Sequence, residues 1–170
     1  MRTQLSRLLA IAAILSLSAC ASQKPLEIPQ GQPSFYQSMA SREAKLDVAA
    51  ARDLISIYRR NNSLSAVSLD PILLAKAQEQ ADAMAAANSM SHEVRGSLQA
   101  RLDGAGLQHS TAVENISAGY HTLADAISGW RNSPPHNANL LNGKMRRMGI
   151  ASAYAPGTKY KVFWALVMSD

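Results

Sequence analysis

The stretch GWRNSPPHNANLLNG, Gly129–Gly143, interrupts a helical pattern with two prolines and then presents a histidine among asparagines, followed by a Leu-Leu pair. Upstream, Thr122 and Asp125 form a Thr-x-x-Asp cap, and Leu123, Ile127 and Trp130 recur on one side. This predicts a helix that Pro134-Pro135 brings to an end. Leu140 and Leu141 then anchor the next turn in the core, and Asn139 is placed to brace that turn through its amide. His136, held between a stopped helix and an apolar anchor, is the first candidate site residue.

Downstream, the period changes. In MGIASAYA, Met148–Ala155, large residues alternate with small ones, and PGTK, Pro156–Lys159, reads as a turn. YKVFWALVM, Tyr160–Met168, is apolar on both faces, as a strand covered on both sides must be. A further short strand is expected in VENISAG, Val113–Gly119.

Upstream, Leu46, Ala50, Leu54 and Ile57 or Tyr58 recur at helical spacing between Glu43 and Arg60, where Asn61-Asn62 stops the pattern. Asp70 and Pro71 open a second helix as cap and first-turn residue, with Leu73 or Leu74, Ala77, Ala81 and Met84 along one face. A short helix is expected from Ser97 to Asp103, ended by Gly104 and Gly106. Together these elements predict an α+β domain with an antiparallel sheet between helical layers.

The beginning of the chain has a different character. Arg2 and Arg7, the apolar run Leu8–Leu17 and then small residues form the pattern of a secretory signal peptide over residues 1–19. That run is short of the roughly 20 apolar residues a membrane span needs. The single cysteine, Cys20, closes LSAC, which resembles the lipobox of bacterial lipoproteins. The resemblance implies cleavage before Cys20, acylation of its thiol and a membrane as partner. Acyl chains at about 0.8 kcal/mol per buried methylene make such anchoring lasting. Ala21 and Ser22 include no Asp, which favours an outer-membrane address in the cell envelope. Residues 20–42 hold Pro25, Pro29, Pro33 and Gly31 among glutamines and read as a flexible tether, so the folded domain is expected over residues 43–170.

Of the 170 residues, 17 are Lys or Arg and 12 Asp or Glu. Without Arg2 and Arg7 the side-chain balance is +3, scattered along the chain, so nucleic acid is not expected as a partner. The one cluster, KMRR at Lys144–Arg147, reads as a solvated turn.

Four histidines, His92, His109, His121 and His136, form no His-Glu-x-x-His, and no Cys-x-x-Cys, phosphate loop or Gly-x-Ser-x-Gly occurs. The order of segments is more telling: LISIYRRNNSLSAVSLDPILLAKAQEQADAM, SMSHE, VENISAGY, GWRNSPPHNANLLN, MGIASAYA and the terminal strand. From about Glu43 to Asp170 this resembles the CAP superfamily of cysteine-rich secretory, antigen 5 and pathogenesis-related proteins, in its bacterial form.

The resemblance implies a three-layer α-β-α sandwich with a cleft where His92, Glu114 and His136 converge, supported by Asn115 and Asn139. It departs from the family pattern at Val113, where many members have Gly. It departs again between Asp125 and Asp170, where no acidic residue supplies the second glutamate of some members. Two imidazoles and Glu114 could hold Zn²⁺ with an open fourth position, and Glu114 is then the candidate catalytic carboxylate. No nucleophile, oxyanion donor or specificity pocket is readable. The sequence is therefore read as a non-catalytic envelope module whose cleft binds a divalent metal, a lipid or a peptide. The alternatives are a metal-dependent hydrolase and a purely structural domain with a buried hydrogen-bond network.

Overall fold

The computed structural model describes residues 31–108 and 110–170. Residues 1–30, which include the signal-peptide and Cys20 expectations, lie outside them, as does His109.

The helices are α1 (Val48–Asn61), α2 (Pro71–Ala87), α3 (Leu98–Asp103), α4 (Leu123–Asn132) and α5 (Pro134–Leu140). The strands are β1 (Ser68–Leu69), β2 (Ala112–Ala118), β3 (Arg147–Ala155) and β4 (Lys161–Ser169), in the sheet order β1-β3-β4-β2. β4 pairs antiparallel with both β3 and β2, and β1 adds a two-residue parallel pair to β3.

The two faces of β4 divide the core. Val162, Trp164, Leu166 and Met168 pack with Ala51 and Ile55 of α1 and with Leu123, Ile127 and Trp130 of α4. Phe163, Ala165 and Val167 pack with Leu73, Ala77, Ala81 and Met84 of α2 and with Leu102 of α3. This is the α-β-α arrangement, and the two-sided apolar run explains it, because a strand with helices on both faces has no face left for water. Trp130 and Trp164 are almost wholly buried. Each removes roughly 150–250 Å² from water, on the order of 4–6 kcal/mol before the entropy cost of ordering.

Small residues set how closely the layers approach. A Cβ on Gly149 of β3 would run into the backbone of Leu73 and Leu74 at the start of α2. The helix ends follow local chemistry. Asp47 caps α1 by accepting from the Ala50 N–H, Asp70 caps α2 through Ile72 and Leu73, and Thr122 caps α4 through Asp125. The first helix therefore starts at Val48, later than its apolar pattern suggests.

Two expectations need correction. The tether expected over residues 20–42 is part of the folded unit from Gly31 onward. Met39 is buried, Phe35 packs beside it, and the Met39 N–H donates to the His121 carbonyl. Two apolar side chains in a Pro-rich segment suffice to dock it. The turn expected after Pro134-Pro135 is instead a second helix, α5, with the prolines in its first turn, where a missing N–H has no helical partner to lose.

Arg59, at the end of α1, fixes where α5 ends. Fully buried, it donates to the carbonyls of Ser65 at 2.9 Å, Leu140 at 2.7 Å, Asn142 at 3.0 Å and Met145 at 3.0 Å. Burial, and then the charge of Arg146, pull its pKa down.

Candidate functional site

β2 lies at one edge of the sheet, and the site is built around that edge. Its residues alternate. Glu114, Ile116 and Ala118 point to the α2–α3 side, whereas Val113, Asn115 and Ser117 point to the α1–α4 side.

On the first side, Glu114 is held at both oxygens. Arg101 Nη2 donates to Oε1 at 2.8 Å, and His92 Nδ1 lies 2.7 Å from Oε2. The Arg101 and Glu114 side chains are 5% and 3% exposed, and that of His92 is 51% exposed. With the Glu114 carboxylate as acceptor, Nδ1 of His92 is assigned as the donor in this contact. Gln80 of α2 sets the backbone there by donating to the Ser91 and His92 carbonyls.

On the other side, Asn115 donates to the His136 carbonyl at 3.0 Å and accepts from Asn139 at 2.9 Å. Asn139 also donates to the Glu114 carbonyl at 3.2 Å. It thus braces β2 as well as its own helix. Partial burial, and then the nearby charge of His92, lower the pKa of His136, so its imidazole is neutral at neutral pH. Tyr58 donates to Asn137 at 2.7 Å and fixes the outer face of α5.

A cavity of about 240 Å³ opens where the two sides meet, beside His136. Met90, Ile116, Ala118, Tyr120 and Trp130 give it an apolar wall, and Ser117, Ser133 and His136 supply polar groups. Its shape depends on Gly129. A Cβ there would collide with the Tyr120 ring, whose backbone carbonyl is fixed by Trp164 Nε1 at 2.8 Å.

Of the three residues expected to converge, two are in direct contact and the third lies near. His92 and Glu114 touch, and His136 lies close enough for the charge of His92 to act on its imidazole. Each Glu114 oxygen already accepts one hydrogen bond, from Arg101 and from His92, so neither is an unpartnered ligand for a metal. Among the described residues, no three His, Cys, Asp or Glu side chains gather around one point.

Arg101, within the short helix expected from Ser97 to Asp103, is the member that sequence reasoning passed over. The available signal was Glu114 itself: a carboxylate between apolar strand residues needs a cation. His121 contributes only its carbonyl to Met39. In the KMRR cluster, Arg146 binds carbonyls of its own turn, and Arg147 pairs with Asp70 at 3.0 Å.

The model of the cysteine-rich secretory protein family, CAP, matches residues 52–168, from α1 to the end of β4. The chain belongs to this family. The CAP domain is 28% identical to an extracellular SCP-domain protein of Bacillus anthracis, over 71% of this chain and 39% of that one, with a TM-score of 0.61. An outer surface protein of Borrelia burgdorferi shares the fold at 20% identity and a TM-score of 0.66, covering 74% of this chain and 93% of that one. The Bacillus subtilis protein YkwD is 27% identical over 100 residues, 58% of this chain. The chain spans about two fifths of YkwD, 39% of its length.

Proposed function

We propose that this CAP domain is a non-catalytic binding module of the cell envelope, exported and lipid-anchored through Cys20, that takes an apolar group into the cavity beside His136. The observation that carries the reading is the state of Glu114. With Arg101 on one oxygen and His92 on the other, neither oxygen stands unpartnered, as an open metal ligand or general base would. The neighbouring cavity is open, largely apolar and walled by half-exposed Met90 and Tyr120. An envelope location is supported by the LSAC pattern and by the relatives named as outer surface and extracellular proteins.

The test is a two-dimensional NMR titration of the ¹⁵N-labelled protein with indole, beside the variant Ser133→Phe. Ser133 caps no N–H with its side chain, so a ring placed there fills the cavity without removing a bond. Saturable shifts at Ile116, Ala118 and Gly129 that vanish in the variant are expected, and unchanged spectra would sink the reading. A parallel calorimetric titration with Zn²⁺ bears on the rival. Micromolar binding lost in both His92→Ala and His136→Ala would replace an apolar-ligand site with a metal centre.

A further inference from the structure

The cavity also exposes backbone. Residues 111, 113, 115, 117 and 119 direct their N–H and C=O groups toward β4, as the Gly119 N–H to Val162 carbonyl bond at 2.9 Å and the Asp170 N–H to Thr111 carbonyl bond at 3.2 Å fix. Glu114, Ile116 and Ala118 therefore direct theirs outward. Two of these outward carbonyls are taken: Asn139 Nδ2 donates to Glu114 and Trp130 Nε1 to Ile116. Ala118 comes next along the edge, half-buried in the wall of the cavity, and among the described residues no side chain or backbone group completes it. Beside it, Ser117 Oγ is buried with no hydrogen-bond partner.

We infer that the site binds an extended peptide segment, one residue of which pairs with the Ala118 N–H and C=O while an apolar side chain enters the cavity. This rests on the binding-module reading and names its ligand class. An adjacent donor and acceptor on a strand edge match a secondary amide, the repeating group of a peptide, which is how strand addition works. The cavity, about 240 Å³, falls below the ~300–1,000 Å³ of pockets that enclose a drug-sized ligand, and suits one side chain. A sterol or a long acyl chain would leave most of its surface outside and would leave the Ala118 groups unpaired. An N-acetyl sugar could satisfy the amide pairing, but its methyl group would leave the apolar cavity largely empty.

The experiment uses the full-length ¹⁵N-labelled protein and the blocked tripeptide acetyl-alanyl-leucyl-alanine amide. Saturable shifts are expected at Ser117, Ala118, Gly129 and His136, with slowed exchange of the Ala118 amide proton. N-methylation of the leucine nitrogen removes the donor to the Ala118 carbonyl and should weaken binding by about tenfold or more. Ala118→Pro removes the outward N–H, which no ladder bond uses, and should weaken the parent peptide likewise. Equal binding of the methylated and parent peptides overturns the backbone pairing. Shifts from decanoate or N-acetylglucosamine, with none from the peptide, overturn the peptide assignment and leave the binding module standing. Silence from every probe, indole included, overturns both.

Discussion

Arg101 and Glu114, thirteen residues apart in sequence, meet at 2.8 Å with almost no exposed side-chain surface. Removing one partner from such a pair leaves a buried charge without its counterpart, typically at about 3–5 kcal/mol. Glu114→Ala should therefore lower the stability measured by urea unfolding by an amount of that order. The double variant Glu114→Leu/Arg101→Met, apolar at both positions, should lose markedly less. A double variant as unstable as the single one would show that the pair is not the source of the loss.

Because its pKa is lowered by burial first and by His92 second, His136 binds fewer protons folded than unfolded. Stability should be full above the ordinary imidazole value and decline as pH falls through it, since protons then favour the unfolded chain. NMR titration of His92→Gln should raise the His136 pKa only part of the way, because burial remains. Comparing urea unfolding at pH 8 and pH 5, His136→Asn should show a smaller decline than the wild type.

Arg59 makes four hydrogen bonds to carbonyl oxygens and none to a carboxylate. Arg59→Met should cost on the order of 3 kcal/mol or more, since the carbonyls it serves lose a charged donor while buried. Arg59→Lys should recover little, because an ammonium cannot span four carbonyls as a planar fork does. Denaturant midpoints of the two variants check this, and full rescue by lysine would contradict it.

Gly149→Ala would place a methyl group in the backbone of Leu73 and Leu74, where no side chain can rotate away. Overpacking commonly costs about 1–3 kcal/mol, and the rigid obstacle here puts the expected loss at or above the top of that range. For Gly129→Ala the nearest atoms are those of the far end of the Tyr120 ring, a side chain that can swing outward. Thermal unfolding should therefore show a much larger fall in Tm for Gly149→Ala, and the reverse order would refute the argument.

The fold was largely readable because its elements are locally determined. The Asp70-Pro71 and Thr122-Asp125 starts lie where the helices begin, and the alternation in MGIASAYA and the two-sided YKVFWALVM mark the strands. What escaped was tertiary. β1 is two residues long and exists through its pairing with β3, and residues 31–42 are ordered by docking Phe35 and Met39. Helix α5 escaped because two prolines read equally well as a stop or a start. At the site, Glu114, Asn115 and His136 stand out by residue type, but Arg101 and the Ala118 edge are defined by neighbours distant in sequence.

β4 is last in chain order among the strands and yet lies between β3 and β2. Neither of those strands pairs with the other, so the sheet cannot close until residues 161–169 are available. During synthesis the emerging polypeptide therefore lacks the strand between β3 and β2 until residues 161–169 have been made. Its topology ties completion of the sheet to a strand made after both of its neighbours.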